Sequence, residues 1–162
     1  MKKNALEISA IVITGIAAGV VLSHVLQAGP KAALSAEEYL TVQQTLYQNY
    51  RNTIGVVETL GLIVLGIIAW SDRRNRNLRT PSFVAFACLL IMFAIWAIGL
   101  NPINLAVSSW TLSTMPANWT DMRDRWHWLH EVRAILAFIS LMAVSYRIVL
   151  RTRSVTVSVR AA

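Results

Sequence analysis

The sequence predicts an all-α integral membrane protein, built as a bundle of four transmembrane helices. The first observation is its apolar composition, 56% hydrophobic residues with a mean hydropathy of +0.52. The second is four apolar stretches, each long enough to cross a hydrocarbon core of about 30 Å. The predicted spans are residues 8–26, 54–70, 81–100 and 134–150. Little chain remains for a soluble domain, so we expect one membrane domain, residues 1–150, and a basic cytoplasmic tail, residues 151–162.

The positive charges predict the orientation of this bundle. Lysines and arginines are concentrated before the first span, between the second and third, and after the fourth. By the positive-inside rule these segments are cytoplasmic, as in a bacterial inner-membrane protein. Loops 27–53 and 101–133 then lie outside. The charge placement favours membrane orientation and contact with anionic lipid over nucleic-acid binding as the reason for the net charge of +7.

The first helix carries a pair of small residues at helical spacing. Gly15 and Gly19 match the small-xxx-small pattern that permits close helix approach. We favour packing within the bundle over a homo-oligomer interface as the use of this face. The basic start also resembles a signal peptide, but the apolar run is long, so we expect an uncleaved helix.

A capping box predicts where the second helix starts. Ser35 is followed three residues later by Glu38, which favours a helix start near Ala36. No proline intervenes before Trp70, so we expect one unbroken helix about 50 Å long that projects outside the membrane. One stripe of this helix would lead from its outer part down to a carboxylate inside the span: Gln44, Tyr47, Arg51 and Glu58.

The third and fourth helices are separated by a tryptophan-containing loop. We expect Asn101 and Pro102 to end the third helix and to begin that loop. Thr120 and Asp121 are typical of a helix start, and the fourth helix should extend outside before its apolar part begins at Ala134.

Polar residues occupy the same end of all four spans. They are His24, Glu58, the pair Asn101 and Asn104, and the group His130, Glu131 and Arg133. An ionisable group at membrane depth costs roughly 2.5–3.5 kcal/mol on insertion scales, and by default it marks a functional site. Several such groups in one layer therefore predict a convergent site.

Three kinds of chemistry fit these residue types. His24, Glu58 and His130, with His127 as a further candidate, would form a two-histidine, one-carboxylate site for iron or copper. His24 and His130 would alternatively ligate a haem across the bundle. Without a metal, Glu58 or a histidine would be a general base, and Arg133 would hold an anionic oxygen.

Structural roles compete with each of these assignments. Glu58 would serve as the ion-pair partner of Arg133 or His130, and His24 would cap its helix or reach the interface. The tryptophans would form an interfacial belt. Cys88 is the only cysteine, so no intrachain disulfide is possible.

The order of these motifs resembles a known family. The pattern is Ser23-His24, Gln43-Gln44, Tyr47, Tyr50, Glu58, Asn101-Pro102-Ile103-Asn104, Trp119, Arg123, Arg125-Trp126, His130 and Arg133. It resembles the anthrone oxygenase-like family of small four-helix membrane proteins across nearly the whole chain. The resemblance implies four transmembrane helices and, in some members, oxidation of an anthrone to a quinone with molecular oxygen. The family's polar positions would be Asn104, Trp119, Arg125, Trp126, His130 and Arg133.

The sequence thus predicts an oxidase that acts with O2 on a small hydrophobic, aromatic compound. Glu58 and His130 would handle protons or a metal, while Arg133 and Asn104 would orient a substrate oxygen. Trp119, Arg125, Trp126 and Tyr47 would bind the substrate. The rivals are a haem- or copper-binding electron-transfer protein and a non-enzymatic membrane subunit.

Overall fold

The computed structural model describes residues 2–47 and 50–160, and all regular structure in those ranges is helical. The predicted all-α class is therefore confirmed. The helices are α1 (Lys2–Leu26), α2 (Ala28–Ala32), α3 (Ala36–Leu46), α4 (Tyr50–Asp72), α5 (Arg76–Ala94), a π-helical segment (Ile95–Leu100), α6 (Asn101–Ser109) and α7 (Trp119–Arg160).

Within the described ranges, four helical stretches are long and apolar enough to cross a membrane, as predicted. They are Asn4–Leu26, Asn52–Asp72, Arg76–Ser109 and Trp119–Arg153. α1 packs against α4 and α7, and α5 packs against the same two helices. The four helices therefore form a closed ring in which α4 and α7 occupy opposite corners. Side chains that join α4 to α7 must cross the interior of the bundle.

Small residues bring these helices together. Ala17, Ala18, Ala85 and Ala137 are almost fully buried in one core cluster with larger residues such as Leu89. The predicted internal packing of the glycine pair is wrong: a Cβ atom added at either Gly15 or Gly19 would meet nothing within 4 Å. Alanines on another face make the close contacts, and a role of the glycines in a homo-oligomer stays a prediction.

The second predicted helix is divided in two. The capping box is confirmed, since Ser35 Oγ accepts from the Glu38 N–H at 3.3 Å and the Glu38 carboxylate accepts from the Ser35 N–H at 2.8 Å. α3 nevertheless ends at Leu46, and Tyr47 leaves helical geometry with φ −105° and ψ 4°. The Tyr47 hydroxyl donates to the Gln27 side chain, and the Lys31 ammonium lies 3.9 Å from the Tyr47 ring centroid. These contacts, to Gln27 between α1 and α2 and to Lys31 of α2, replace the predicted continuous helix.

The third predicted helix continues past the residues expected to end it. The π-helical segment Ile95–Leu100 leads directly into α6, with the Asn101 N–H bonded to the Trp96 carbonyl five residues earlier. Pro102 then occupies the first turn of α6, where a missing N–H is tolerated. Asn104 consequently lies on a helix rather than in a loop.

The fourth helix is long and continuous, as predicted. α7 begins at Trp119, one residue before the expected start, and continues to Arg160 instead of ending at Leu150. The backbone of most of the predicted tail is therefore part of α7, while residues 161–162 lie outside the described ranges.

Candidate functional site

The predicted polar layer surrounds one cavity of about 450 Å³. It lies at the end of the bundle that contains His24, Glu58 and His130, hereafter the site end; the opposite end, which contains Arg147, is the arginine end. Six predicted site residues line the cavity: His24, Tyr47, Asn104, Trp126, His130 and Arg133. The remaining lining residues are Val20, Tyr39, Gln43, Gln44, Tyr50, Ile54, Trp96, Val107 and Ser108.

Two buried histidine rings contact each other in this cavity. The centroids of His24, at the end of α1, and His130, on α7, lie 4.4 Å apart in an edge-to-face arrangement. His130 Nδ1 lies 2.9 Å from the Trp126 carbonyl oxygen. Because a carbonyl only accepts hydrogen bonds, Nδ1 carries the proton in the neutral ring, and Nε2 is the basic nitrogen. His130 therefore has a defined tautomer, and no hydrogen bond to its Nε2 lone pair occurs within the described residues.

Trp126 fixes the position of both histidines. Its indole packs on His130 at 3.9 Å between centroids and meets His24 edge-to-face at 5.0 Å. Its Nε1–H donates to Asn104 Oδ1 at 2.8 Å, which joins α7 to α6. The Asn104 oxygen is thereby occupied, and its NH2 group is left as a donor at the cavity wall.

A buried ion pair lies beneath the cavity. Arg133 Nη2 donates to Glu58 Oε1, with Glu58 fully buried and Arg133 2% exposed. Arg133 lines the cavity and Glu58 does not. The carboxylate neutralises and orients the guanidinium, which would otherwise be an uncompensated buried charge. Glu58 is thus the ion-pair partner of Arg133, and its predicted part in proton handling stays a prediction.

The predicted iron or copper site is not formed. Among residues 2–47 and 50–160, no three side chains of His, Cys, Asp or Glu come together in a way that could hold a metal ion. The Glu58 carboxylate is bonded to Arg133 instead of facing His24 and His130. The haem arrangement does not fit either, because the two imidazoles contact each other directly and leave no space for a porphyrin between them.

Three other predicted residues lie outside the cavity wall. Trp119 packs on Tyr39, with ring centroids 5.2 Å apart, and Arg125 is exposed. His127 is buried against the Trp126 ring at 5.4 Å between centroids and does not line the cavity. The predicted substrate contacts of Trp119 and Arg125 and the metal-ligand role of His127 are therefore not supported by their positions.

Near the start of α7, Arg123 is the buried arginine, whereas Arg125 is exposed. Arg123 Nη1 donates to the Ala32 carbonyl at 3.1 Å, and its Nε donates to Asp124 at 2.9 Å. The bond to Ala32 attaches the start of α7 to α2 at the site end.

Sequence reasoning placed Gln44 and Tyr47 on a stripe that leads to the site, but it did not predict Tyr39 and Gln43 as cavity residues. Tyr39, Gln43 and Tyr47 recur every four residues and line the wall, a spacing that could have indicated one helix face. Burial raises the pKa of Tyr39 to about 12, so this hydroxyl keeps its proton. Gln44 Nε2 donates to the carbonyls of Val107 and Trp110 at 2.9 and 2.8 Å, which fixes α3 against α6.

Lys31 is a second residue that the sequence did not single out. Its ammonium is buried against the rings of Tyr47 and Trp126, at 3.9 and 5.2 Å from their centroids. It has no hydrogen-bond partner within the described part of the chain. Burial lowers the pKa of Lys31 to about 8.

No family model, curated protein or solved structure matches this chain. The resemblance to the anthrone oxygenase-like family therefore stays a prediction, and the function is argued from the cavity itself.

Proposed function

We propose that this chain is a membrane-embedded oxidase that acts with O2 on a small aromatic ketone of the anthrone class. The supporting observation is one cavity in which two imidazoles, a guanidinium and aromatic rings meet. Its volume of about 450 Å³ falls within the range of small-molecule sites. The wall also offers the polar groups needed to orient one ligand oxygen.

The reaction begins with removal of a proton from carbon. An anthrone has a methylene group between two aromatic rings, and loss of a proton gives a delocalised enolate. His130 Nε2 is the base in this proposal, since the Trp126 carbonyl holds the proton on Nδ1. The Arg133 guanidinium and the Asn104 NH2 stabilise the negative enolate oxygen.

The electron-rich enolate then reacts with O2, the oxidant. A carbon–oxygen bond forms at the former methylene carbon to give a hydroperoxide. Breaking the O–O bond and losing the remaining hydrogen converts that carbon to a carbonyl. One oxygen atom enters the quinone, and the other leaves as water with the two methylene hydrogens. His130 returns the first proton to the outer oxygen of the hydroperoxide, and His24, in contact with His130, can carry the second proton to the departing hydroxide.

Turnover of anthrone by purified protein tests this proposal. We expect O2 uptake and anthraquinone formation above the uncatalysed rate, and a loss of roughly 10²–10⁴-fold in kcat for His130→Gln. His127→Gln is the matched control, because His127 is a buried histidine of the same helix that does not line the cavity. Equal rates for His130→Gln and the unchanged protein would contradict the assignment of the base.

The proposal includes the predicted orientation, with both termini cytoplasmic and the site end outside. It is supported by the arginines of the α4–α5 connection, at the arginine end. Single cysteines at positions 76 and 111, in a Cys88→Ala background, should react with a membrane-impermeant thiol reagent from opposite sides. Labelling of both positions from the same side would contradict this topology.

A further inference from the structure

A groove of about 670 Å³ opens on the outer surface of the bundle at the site end. One side is α4, and the other is formed by the end of α5, the π-helical segment and α6. Its lining residues are Asn52, Gly55, Val56, Thr59, Leu60, Phe93, Trp96, Asn101 and Leu105. Val56, Leu60 and Leu105 are 60%, 50% and 49% exposed, so in a bilayer this groove faces lipid.

Trp96 is shared by the groove and the cavity, since it is a lining residue of both. The indole packs on Phe93 with ring centroids 5.4 Å apart. Its other neighbour is Gly55, where an added Cβ atom would lie 3.4 Å from Trp96 Cη2 and 3.6 Å from Cζ2. The Trp96 ring is thus the partition between a lipid-facing groove and the proposed active site.

Two features allow this partition to move. Trp96 belongs to the π-helical segment, and its own carbonyl accepts the wide-turn bond from the Asn101 N–H. π-Helical turns are isolated insertions in α-helices and are frequent at functional sites. Within the described residues, no hydrogen bond holds the Trp96 indole N–H, in contrast to Trp126, which is fixed by Asn104.

We propose that the groove is a binding site through which the aromatic substrate passes from the bilayer into the cavity, with Trp96 as the gate. The ligand class rests on the proposed function. A planar aromatic ketone suits the groove because Val56, Leu60 and Phe93 give it an apolar wall, whereas Asn52 and Asn101 provide amide donors on that wall. A lipid acyl chain has no acceptor for those amides.

The physical chemistry of the substrate favours this route. An aromatic ketone partitions into the hydrocarbon phase, since removal of apolar surface from water is favourable. The part of the cavity wall formed by α3 and α6 includes Gln43, Gln44 and Ser108, which are polar. Entry from the bilayer avoids transfer of the substrate back into water before it binds.

The test uses benzophenone, an aromatic ketone that forms covalent adducts on irradiation, added to proteoliposomes containing the full-length protein. Adducts are located by mass spectrometry of peptides from the groove and from the cavity. The blocking variant is Gly55→Leu, which fills the space beside Trp96. Gly66→Leu is its matched control on α4, since an added Cβ there would likewise meet one aromatic edge, Phe86 at 3.5 Å, away from the groove.

We expect adducts in both places in the unchanged protein. Gly55→Leu should slow cavity labelling by roughly tenfold, the rate effect of a barrier of about 1.4 kcal/mol, whereas Gly66→Leu should not. Trp96→Ala should accelerate cavity labelling, and this opposite sign separates gating from damage to the fold.

Cavity labelling that is equally fast in Gly55→Leu and Trp96→Ala would overturn the proposal, and so would a groove occupied by lipid and never labelled. Labelling requires no turnover, so failure of the two proposals is distinguishable. Gated labelling without anthrone oxidation would support the route and refute the reaction. Anthrone oxidation at the normal rate in Gly55→Leu would support the reaction and refute the route through the groove.

Discussion

Two ion pairs join the same two helices at opposite ends of the bundle and are built differently. Glu58 pairs with Arg133 at the site end, and Asp72 pairs with Arg147 at the arginine end. Both pairs connect α4 to α7 across 75 residues of sequence. Asp72 follows Glu58 by 14 positions on α4, and Arg147 follows Arg133 by the same number on α7. The two ion pairs therefore lie about 21 Å apart along two parallel helices.

The pair at the arginine end belongs to a complete network. Asp72 Oδ2 accepts from Arg147 Nε at 2.6 Å and from the Ser82 hydroxyl at 2.7 Å. Arg147 and Arg151 both donate to Glu7. The network thus connects α1, α4, α5 and α7, and none of its buried side-chain atoms lacks a partner in the part of the chain that the structure describes.

The pair at the site end is only partly bonded. Glu58 Oε2 and Arg133 Nε are buried without partners within the described ranges, and so are polar atoms of His24, Lys31, Gln43 and His127. Every buried polar side-chain atom without a partner in those ranges lies at this end. Unsatisfied buried polar groups are costly to a fold. Both ends of the bundle bury charged side chains. They differ in whether the hydrogen bonds of those side chains are satisfied, and this difference distinguishes the structural network from the candidate site.

The largest expected effect follows from breaking the arginine-end network. Arg147→Leu leaves Asp72 and Glu7 without their shared cation, and we expect a loss of about 3–5 kcal/mol in the free energy of unfolding. Arg133→Leu should also destabilise, because the buried Glu58 carboxylate loses its ion-pair partner. Denaturant titration in detergent micelles measures both values.

The double variants separate the two ends more sharply. Glu58→Leu with Arg133→Leu removes an incompletely bonded pair, and stability should return close to that of the unchanged protein while anthrone oxidation is lost. Asp72→Leu with Arg147→Leu should stay destabilised, because the Ser82 hydroxyl loses its acceptor and Glu7 keeps only Arg151 of its two arginine partners in the described network. If both double variants recover the same free energy of unfolding, the two ion pairs do not differ in their structural role.

The sequence predicted the larger features of this fold because they depend on local patterns. Hydrophobic runs located the four spans, and Ser35 with Glu38 located the start of α3. The break at Tyr47 and the helix through Pro102 were missed, because tertiary contacts of Tyr47 and a π-helical turn before Pro102 decide them. Such contacts leave no periodic signal.

The sequence predicted how deep in the membrane the candidate site residues lie. It did not predict which neighbouring helix each side chain faces. His24, His130, Trp126 and Arg133 converge because they occupy one layer and face inward. The choice of Arg123 over Arg125 depends on the rotation of α7 about its axis, which contact with Ala32 reveals. The partner of Glu58 likewise required knowing that α4 and α7 are diagonal in the ring.

Lys31 provides a pH-dependent test of the site end. Its pKa is lowered to about 8 in the folded protein from an ordinary value of 10.5, so the unfolded chain binds more protons between these values. Stability should therefore rise with pH across that window, and the cost of burying the ammonium is fully present below pH about 8. Melting temperature against pH measures this slope.

Lys31→Met should abolish most of that slope and raise the melting temperature at neutral pH. Lys3→Met, at the other end of α1, is the control and should keep the slope. Measurements should stay below pH about 10, where tyrosines of the unfolded chain begin to ionise. An identical slope in Lys31→Met would show that the buried ammonium is not responsible.

The smallest effect compares two helix caps of similar local strength. Ser35 caps α3 at the site end, and Asn75 caps α5 at the arginine end by accepting from the N–H groups of Asn77 and Leu78. Replacement of either by Ala should cost about 1 kcal/mol of local helix stability. Because α3 forms a cavity wall while α5 belongs to the four-helix ring, the two losses should appear in different measurements.

Asn75→Ala should lower the melting temperature and leave the Michaelis constant for anthrone unchanged. Ser35→Ala should scarcely move the melting temperature but should raise that Michaelis constant, because α3 positions Tyr39, Gln43 and Gln44 on the cavity wall. Hydrogen exchange of α3 should accelerate in Ser35→Ala alone. A higher Michaelis constant in Asn75→Ala, with none in Ser35→Ala, would mean that substrate binding depends on the four-helix ring and not on α3.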